Sequence, residues 1–208
     1  MRASLFDSES PDAYEKVYAG LVTRLDSAPL AAHAADLGLA WRDGAAFAPL
    51  LGRDYLVGPA GVRAADGGEA PVTHRIVLAW YLLRQGRGEP AGRFVPYREL
   101  PGGADFARYM AQAVEGRLAA HFSGRLPALV RAAQALAGRV EQESARDVTL
   151  AFAALPKLPL RLKFYDADEE FPAEAKLFYD LTAPNILDLE CLAALGWMLV
   201  LELERAAG

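Results

Sequence analysis

The chain has 208 residues, 53% of them hydrophobic and 24% charged, with 22 Lys and Arg against 27 Asp and Glu for a formal net charge of −5. That length can bury one core without disulfides or metals, and the composition excludes a wholly disordered chain. The negative balance gives no general attraction to phosphate backbones or anionic lipid, so neither nucleic acid nor a membrane surface is an expected partner.

In chain order, Ser10-Pro11 supplies a capping hydroxyl and a proline suited to a first helical turn. Tyr14, Val17, Tyr18, Leu21 and Leu25 follow at helical spacing and predict an amphipathic helix from Pro11 to Ser27. A shorter helix from Pro29 to Asp36 closes at Gly38. Tyr55-Leu56-Val57, Gly58-Pro59-Ala60-Gly61 and Val62-Arg63 read as strand, turn and strand. Residues 65–71 lack periodicity and read as a loop. Thr73 then caps a helix carrying Ile76, Val77, Trp80, Tyr81 and Leu83, which Gly86-Arg87-Gly88 ends. Arg93 to Arg98 is extended, and Leu100-Pro101-Gly102-Gly103 forces a turn. Asp105 opens a helix through Phe122, Gly124 breaks it, and Leu126 to Leu136 form an antiparallel neighbour.

Leu160, Leu162 and Phe164 alternate with Arg161, Lys163 and Tyr165 as a strand, and Val148 to Phe152 are its partner. After the acidic run from Asp166 to Pro172, a short helix is expected over Ala173 to Tyr179 and a turn at Pro184-Asn185. Asp188 then caps a closing helix to Leu203. The elements do not alternate strand and helix regularly, and no linker divides them. The expected fold is therefore α+β, helices packed on a small, mostly antiparallel sheet in a single domain over residues 1–208.

Phe94-Val95-Pro96-Tyr97-Arg98-Glu99-Leu100-Pro101-Gly102-Gly103 and Tyr165-Asp166-Ala167-Asp168-Glu169-Glu170-Phe171-Pro172-Ala173 carry a resemblance, together with Phe178-Tyr179-Asp180 and the leucine-rich closing helix. From Tyr14 onward the chain resembles an uncharacterised prokaryotic family catalogued as domain of unknown function 3786. Some members of that family look fused to a cysteine-rich iron–sulfur segment. The resemblance thus implies a setting near anaerobic redox or corrinoid chemistry and an iron–sulfur or corrinoid protein as partner, and it supplies no catalytic residue. Cys191 is the only cysteine, so this chain forms neither such a segment nor an internal disulfide, and a reducing compartment fits. The residues from Met1 to Asp7 lack the apolar core of a signal peptide, and Leu192 to Leu203 is too short to span a bilayer, so a cytoplasmic location is expected.

The candidate ligand-binding residues are Arg98, Asp166, Asp168, Glu169, Glu170 and Phe171. Carboxylates crowded at a strand end can gather oxygens around a cation and raise one another's pKa. The plainer reading is solvated acids around a helix starting at Pro172, each favoured there by roughly 0.3–1 kcal/mol. Phe171, lying between acids and a proline, is expected to fold back into the core, a burial worth roughly 1.5–3 kcal/mol. Arg98 can make planar two-point bonds to a carboxylate or phosphate, or a surface ion pair with Glu99. His33, His74 and His121 lie on separate helices without zinc-site spacing, so no metal ligand set is read from them. Cys191, among leucines, is expected to be buried and inert. Two functions follow. The first is a non-catalytic ligand- or partner-binding accessory protein using the face of Phe94 to Gly103 and Asp166 to Phe171. The alternative is a metal-dependent hydrolase or lyase using the acids of the turn 166–174. Cofactors, substrate and oligomeric state are not specified by the residues.

Overall fold

Two helices open the chain in the computed structural model, which describes residues 11–84 and 88–208. The expected cap at Ser10 and the helix stop at Gly86-Arg87 lie outside the described residues. Helix α1 (Pro11–Ser27) turns Tyr18, Leu21 and Leu25 inward, and α2 (Leu30–Asp36) is followed by Gly38 at φ 71°. Both follow the apolar stripes.

A four-stranded antiparallel meander comes next: β1 (Ala40–Arg42), β2 (Ala45–Leu50), β3 (Arg53–Gly58) and β4 (Gly61–Ala64). The expected hairpin is β3–β4, and β1 and β2 extend it. Their connections are two-residue turns with both φ angles positive, Asp43 at 51° with Gly44 at 78°, and Leu51 at 49° with Gly52 at 79°. Such turns match the right-handed twist of the strands they join. The Leu51 N–H donates to the Ala154 carbonyl at 3.1 Å, which ties this sheet to the next.

Helix α3 (Val72–Leu83) leads to the short strand β5 (Phe94–Pro96) and a 3-10 turn over Tyr97–Glu99. Past the Leu100-Pro101-Gly102-Gly103 turn the chain is helical to Phe122, through a 3-10 turn (Gly103–Phe106), α4 (Ala107–Tyr109), a π-helical segment (Met110–Gly116) and α5 (Arg117–Phe122). Helix α6 (Leu126–Ala135) follows. Strands β6 (Arg139–Glu143), β7 (Asp147–Leu155), β8 (Leu158–Tyr165) and β9 (Glu174–Asp180) form with β5 an antiparallel sheet in the order β5-β9-β8-β7-β6.

The helix expected over Ala173 to Tyr179 is instead β9. Ala175, Leu177 and Tyr179 are buried while Glu174, Lys176 and Phe178 face outward, a period of two that pairs with β8 from Tyr165–Glu174 to Leu160–Tyr179. Pro184 and Asn185 lie within the short helix α7 (Ala183–Ile186) rather than in a turn. Asp188 caps α8 (Leu189–Ala207) as expected, accepting the Cys191 N–H at 2.8 Å. The fold is α+β, with two antiparallel sheets sharing one buried cluster that includes Tyr55, Tyr81, Phe122, Phe164, Leu195 and Leu199. Among the described residues no helix is long and apolar enough to cross a membrane.

Candidate functional site

The chain leaves β8 at Tyr165 and makes a turn built by its own carboxylates. Asp166 Oδ1 accepts the N–H groups of Gly124 at 2.6 Å and Ala167 at 2.8 Å. Asp168 Oδ1 accepts those of Glu170 at 2.9 Å and Phe171 at 2.8 Å, while its own N–H donates to the Phe171 carbonyl at 2.9 Å. Its Oδ2 lies 2.9 Å from Arg146 Nη1. The bonds from Glu170 and Phe171, ahead of the charge of Arg146, hold the Asp168 carboxyl below the usual aspartate range. No helix begins at Pro172, so none of the acids lies at a helix end, and Asp166 and Asp168 act as acceptors for backbone N–H groups.

This turn directs Phe171 outward. The ring is 68% exposed, contrary to the expected burial, because residues 168–171 close on themselves before the chain enters β9. Tyr165 is 47% exposed. The two rings line one open hollow of about 530 Å³, together with Arg146, Asp147, Asp168 and Glu174. Asp166 also borders it, whereas the exposed Glu169 and Glu170 do not.

Arg98 belongs to a different hollow. Gly102 at φ 79° makes its turn, and Gly103 lies so close to Tyr97 that a Cβ would sit 2.1 Å from the Tyr97 carbonyl oxygen, which accounts for the glycine pair. Tyr97 points inward and donates to the Leu189 carbonyl at 2.6 Å, so Arg98 and Glu99 project outward, 4.0 Å apart. The hollow beside them, about 560 Å³, is bounded also by Arg108, Glu115, Lys176 and Phe178. Lys176 lies 3.4 Å from Glu115 and 3.2 Å from Glu174. Glu174 borders the first hollow and Lys176 the second, so the residues expected on a single face line two separate hollows on either side of β9 residues 174–176.

Outside the two hollows, Asp180, His74 and Cys191 are buried and tie elements together or pack between them. Asp180 is buried and accepts from the N–H groups of Ala91 at 3.0 Å, Gly92 at 2.7 Å and Thr182 at 2.9 Å, and from Thr182 Oγ1 at 2.6 Å. Burial alone would raise its pKa, but these bonds win and lower it. His74 is buried, with Nδ1 2.7 Å from the Tyr55 hydroxyl and Nε2 3.6 Å from Glu202 Oε1. Burial, then the charges of Arg205 and Arg53, push its pKa down to about 4. Burial, with Asp188 adding to it, pushes the Cys191 thiol well up, which fits the expected inert residue.

Among the described residues no group of three or more His, Cys, Asp or Glu side chains is placed to hold a metal ion. A family model described as Domain of unknown function (DUF3786) matches residues 29–202. No curated protein and no solved structure matches the chain.

Proposed function

The chain belongs to the DUF3786 family, and from that premise we propose that it is a non-catalytic binding protein that docks a basic segment of a partner protein at the acidic turn. The observation that carries this reading is the outward ring of Phe171 on a turn fixed by Asp168. An aromatic held in water by a preformed turn loses little freedom when a partner covers it, and exposed aromatics are strong anchors at interfaces. The charge of the hollow selects the partner: Asp147, Asp166, Asp168 and Glu174 border it against the single cation Arg146. Lys or Arg side chains are attracted by those carboxylates and by the faces of Tyr165 and Phe171.

The partner in this reading is an iron–sulfur or corrinoid protein of anaerobic metabolism, and the family resemblance is its support. A cytoplasmic setting accords with the free, buried Cys191. The metal-dependent hydrolase or lyase has less support, since Asp166 and Asp168 direct oxygens at backbone N–H groups.

Photo-crosslinking from position 171 in native host cells tests the reading, with Phe171 replaced by benzoylphenylalanine and the same group at Phe47 as control. The expected product joins position 171 to a Lys- or Arg-rich segment of an iron–sulfur or corrinoid protein. With that protein purified, Phe171→Ala should weaken binding by at least about tenfold while leaving stability within about 0.5 kcal/mol, as for an exposed side chain. Equal labelling from both positions, or crosslinks only to acidic segments, would overturn the proposal.

A further inference from the structure

We propose that the second hollow, between β5, the π-helical segment and β9, binds a small organic anion: a carboxylate or phosphate head on an apolar, aromatic body. The site is separate from the acidic turn and does not depend on what docks there.

The hollow arises from a mismatch of lengths. Strand β5 has 3 residues, and its pairing ends where Pro96 faces Phe178, so β9 from Glu174 to Leu177 has no strand on that side. The 7-residue π-helical segment crosses the gap. Such segments are rare and concentrate at functional sites. Glu115 fastens it to the free edge, accepting the Leu177 N–H at 3.1 Å and facing Lys176 Nζ at 3.4 Å. Pro96, Met110, Ala111 and Phe178 supply the apolar walls, and the volume of about 560 Å³ suits a small molecule.

Charge at the rim reverses that of the chain. Arg98, Arg108 and Lys176 stand against Glu99 and Glu115, in a molecule of net charge −5. Glu115 is committed to the β9 edge. Arg98 meets Glu99 only at 4.0 Å, a surface pair of small worth, and Arg108 has no ion pair among the described residues. The lining thus combines an apolar wall with two arginines that, among the described residues, lack a close carboxylate partner. Guanidinium groups bind planar oxyanions at two points, and a ligand that also carries an aromatic body can cover Phe178.

Isothermal titration of the full chain with inorganic phosphate, benzoate and phenyl phosphate tests this. Phenyl phosphate and benzoate are expected to saturate one site, with inorganic phosphate weaker by at least about tenfold. The double variant Arg98→Ala, Arg108→Ala should lose at least about tenfold of the phenyl phosphate affinity. Its melting point should stay unchanged, since both side chains are exposed. Phe171→Ala should bind phenyl phosphate like the parent. No saturable binding of any probe below about 10 mM, or equal affinity in the double variant, overturns the site. Equal affinity for phosphate and phenyl phosphate overturns the ligand class.

Discussion

Gly196 sits mid-way along α8 because the Tyr179 hydroxyl occupies the space its side chain would need. A Cβ there would lie 2.3 Å from that oxygen and 2.9 Å from Met110 Cε. The tyrosine ring is fully buried and also meets Tyr97 edge-on with centroids 5.4 Å apart, so it has little room to retreat. Its hydroxyl makes no hydrogen bond among the described residues, and a buried unpaired polar group costs about 1–3 kcal/mol. Gly196→Ala should therefore destabilise by about 1–3 kcal/mol through overpacking, outweighing the gain of about 1 kcal/mol that alanine brings to a helix interior. Tyr179→Phe should be neutral or stabilising, since it deletes the orphan oxygen and leaves the ring. Urea denaturation of the two single variants and their combination measures the coupling. In the double variant, Tyr179→Phe should recover part of the stability that Gly196→Ala removes, and strictly additive values would show that the hydroxyl is not the obstacle.

At the scale of elements, β9 shows which parts of this fold local sequence can specify. Helices α1, α3 and α8 and the β7–β8 pair carry long apolar stripes of one period, and residues 14–25 or 160–165 are enough to identify them. Glu174-Ala175-Lys176-Leu177 carries good helix formers, yet its alternation fits the space between β8 and β5, and tertiary pairing overrides propensity. Strand β6 is exposed along its whole length and offers no period to read. The β1–β2 hairpin did carry a readable signal, Asp43-Gly44, but its flanking alanines are poor strand formers. The same division holds at the site. Asp166, Asp168 and Phe171 come together because they are neighbours in sequence, whereas Arg146, Glu115 and Lys176 arrive from separate elements that only the sheet order brings near. Glu115 makes this testable. Its carboxylate takes the place of a neighbouring strand at the Leu177 N–H, so Glu115→Ala should cost about 1–3 kcal/mol. It should also speed hydrogen exchange at the Leu177 amide more than at the amides of β7. Uniform acceleration across the sheet would mean that Glu115 only adds general stability.

Across the whole molecule, one histidine joins the four-stranded sheet to the closing helix and makes stability depend on pH. Nε2 of His74 on α3 faces the Glu202 carboxylate on α8 at 3.6 Å, which favours the neutral tautomer with its proton there and leaves Nδ1 to accept from the Tyr55 hydroxyl on β3 at 2.7 Å. Burial, more than any charge, raises the Tyr55 pKa, so that hydroxyl keeps its proton. A second proton on His74 would compete with the Tyr55 bond in a dry site, with Arg205 and Arg53 also opposing it. The folded-state pKa is thus about 4, against about 6.5 in the unfolded chain. Above pH ~6.5 both states are neutral and the full contribution is present. As pH falls from there toward 4, the unfolded chain takes up a proton that the fold refuses, and stability declines by up to about 1.4 kcal/mol per pH unit, about 3 kcal/mol in all. Asp180 acts lower. Its depressed pKa contributes stability above about pH 3.9 that is lost as pH falls further. The interval from about pH 6.5 to 5 therefore isolates His74. Denaturant titrations across that interval should show the slope in the parent and a flattened one in His74→Gln, whose amide oxygen can still accept from Tyr55. Equal slopes in the two proteins would remove His74 as the source.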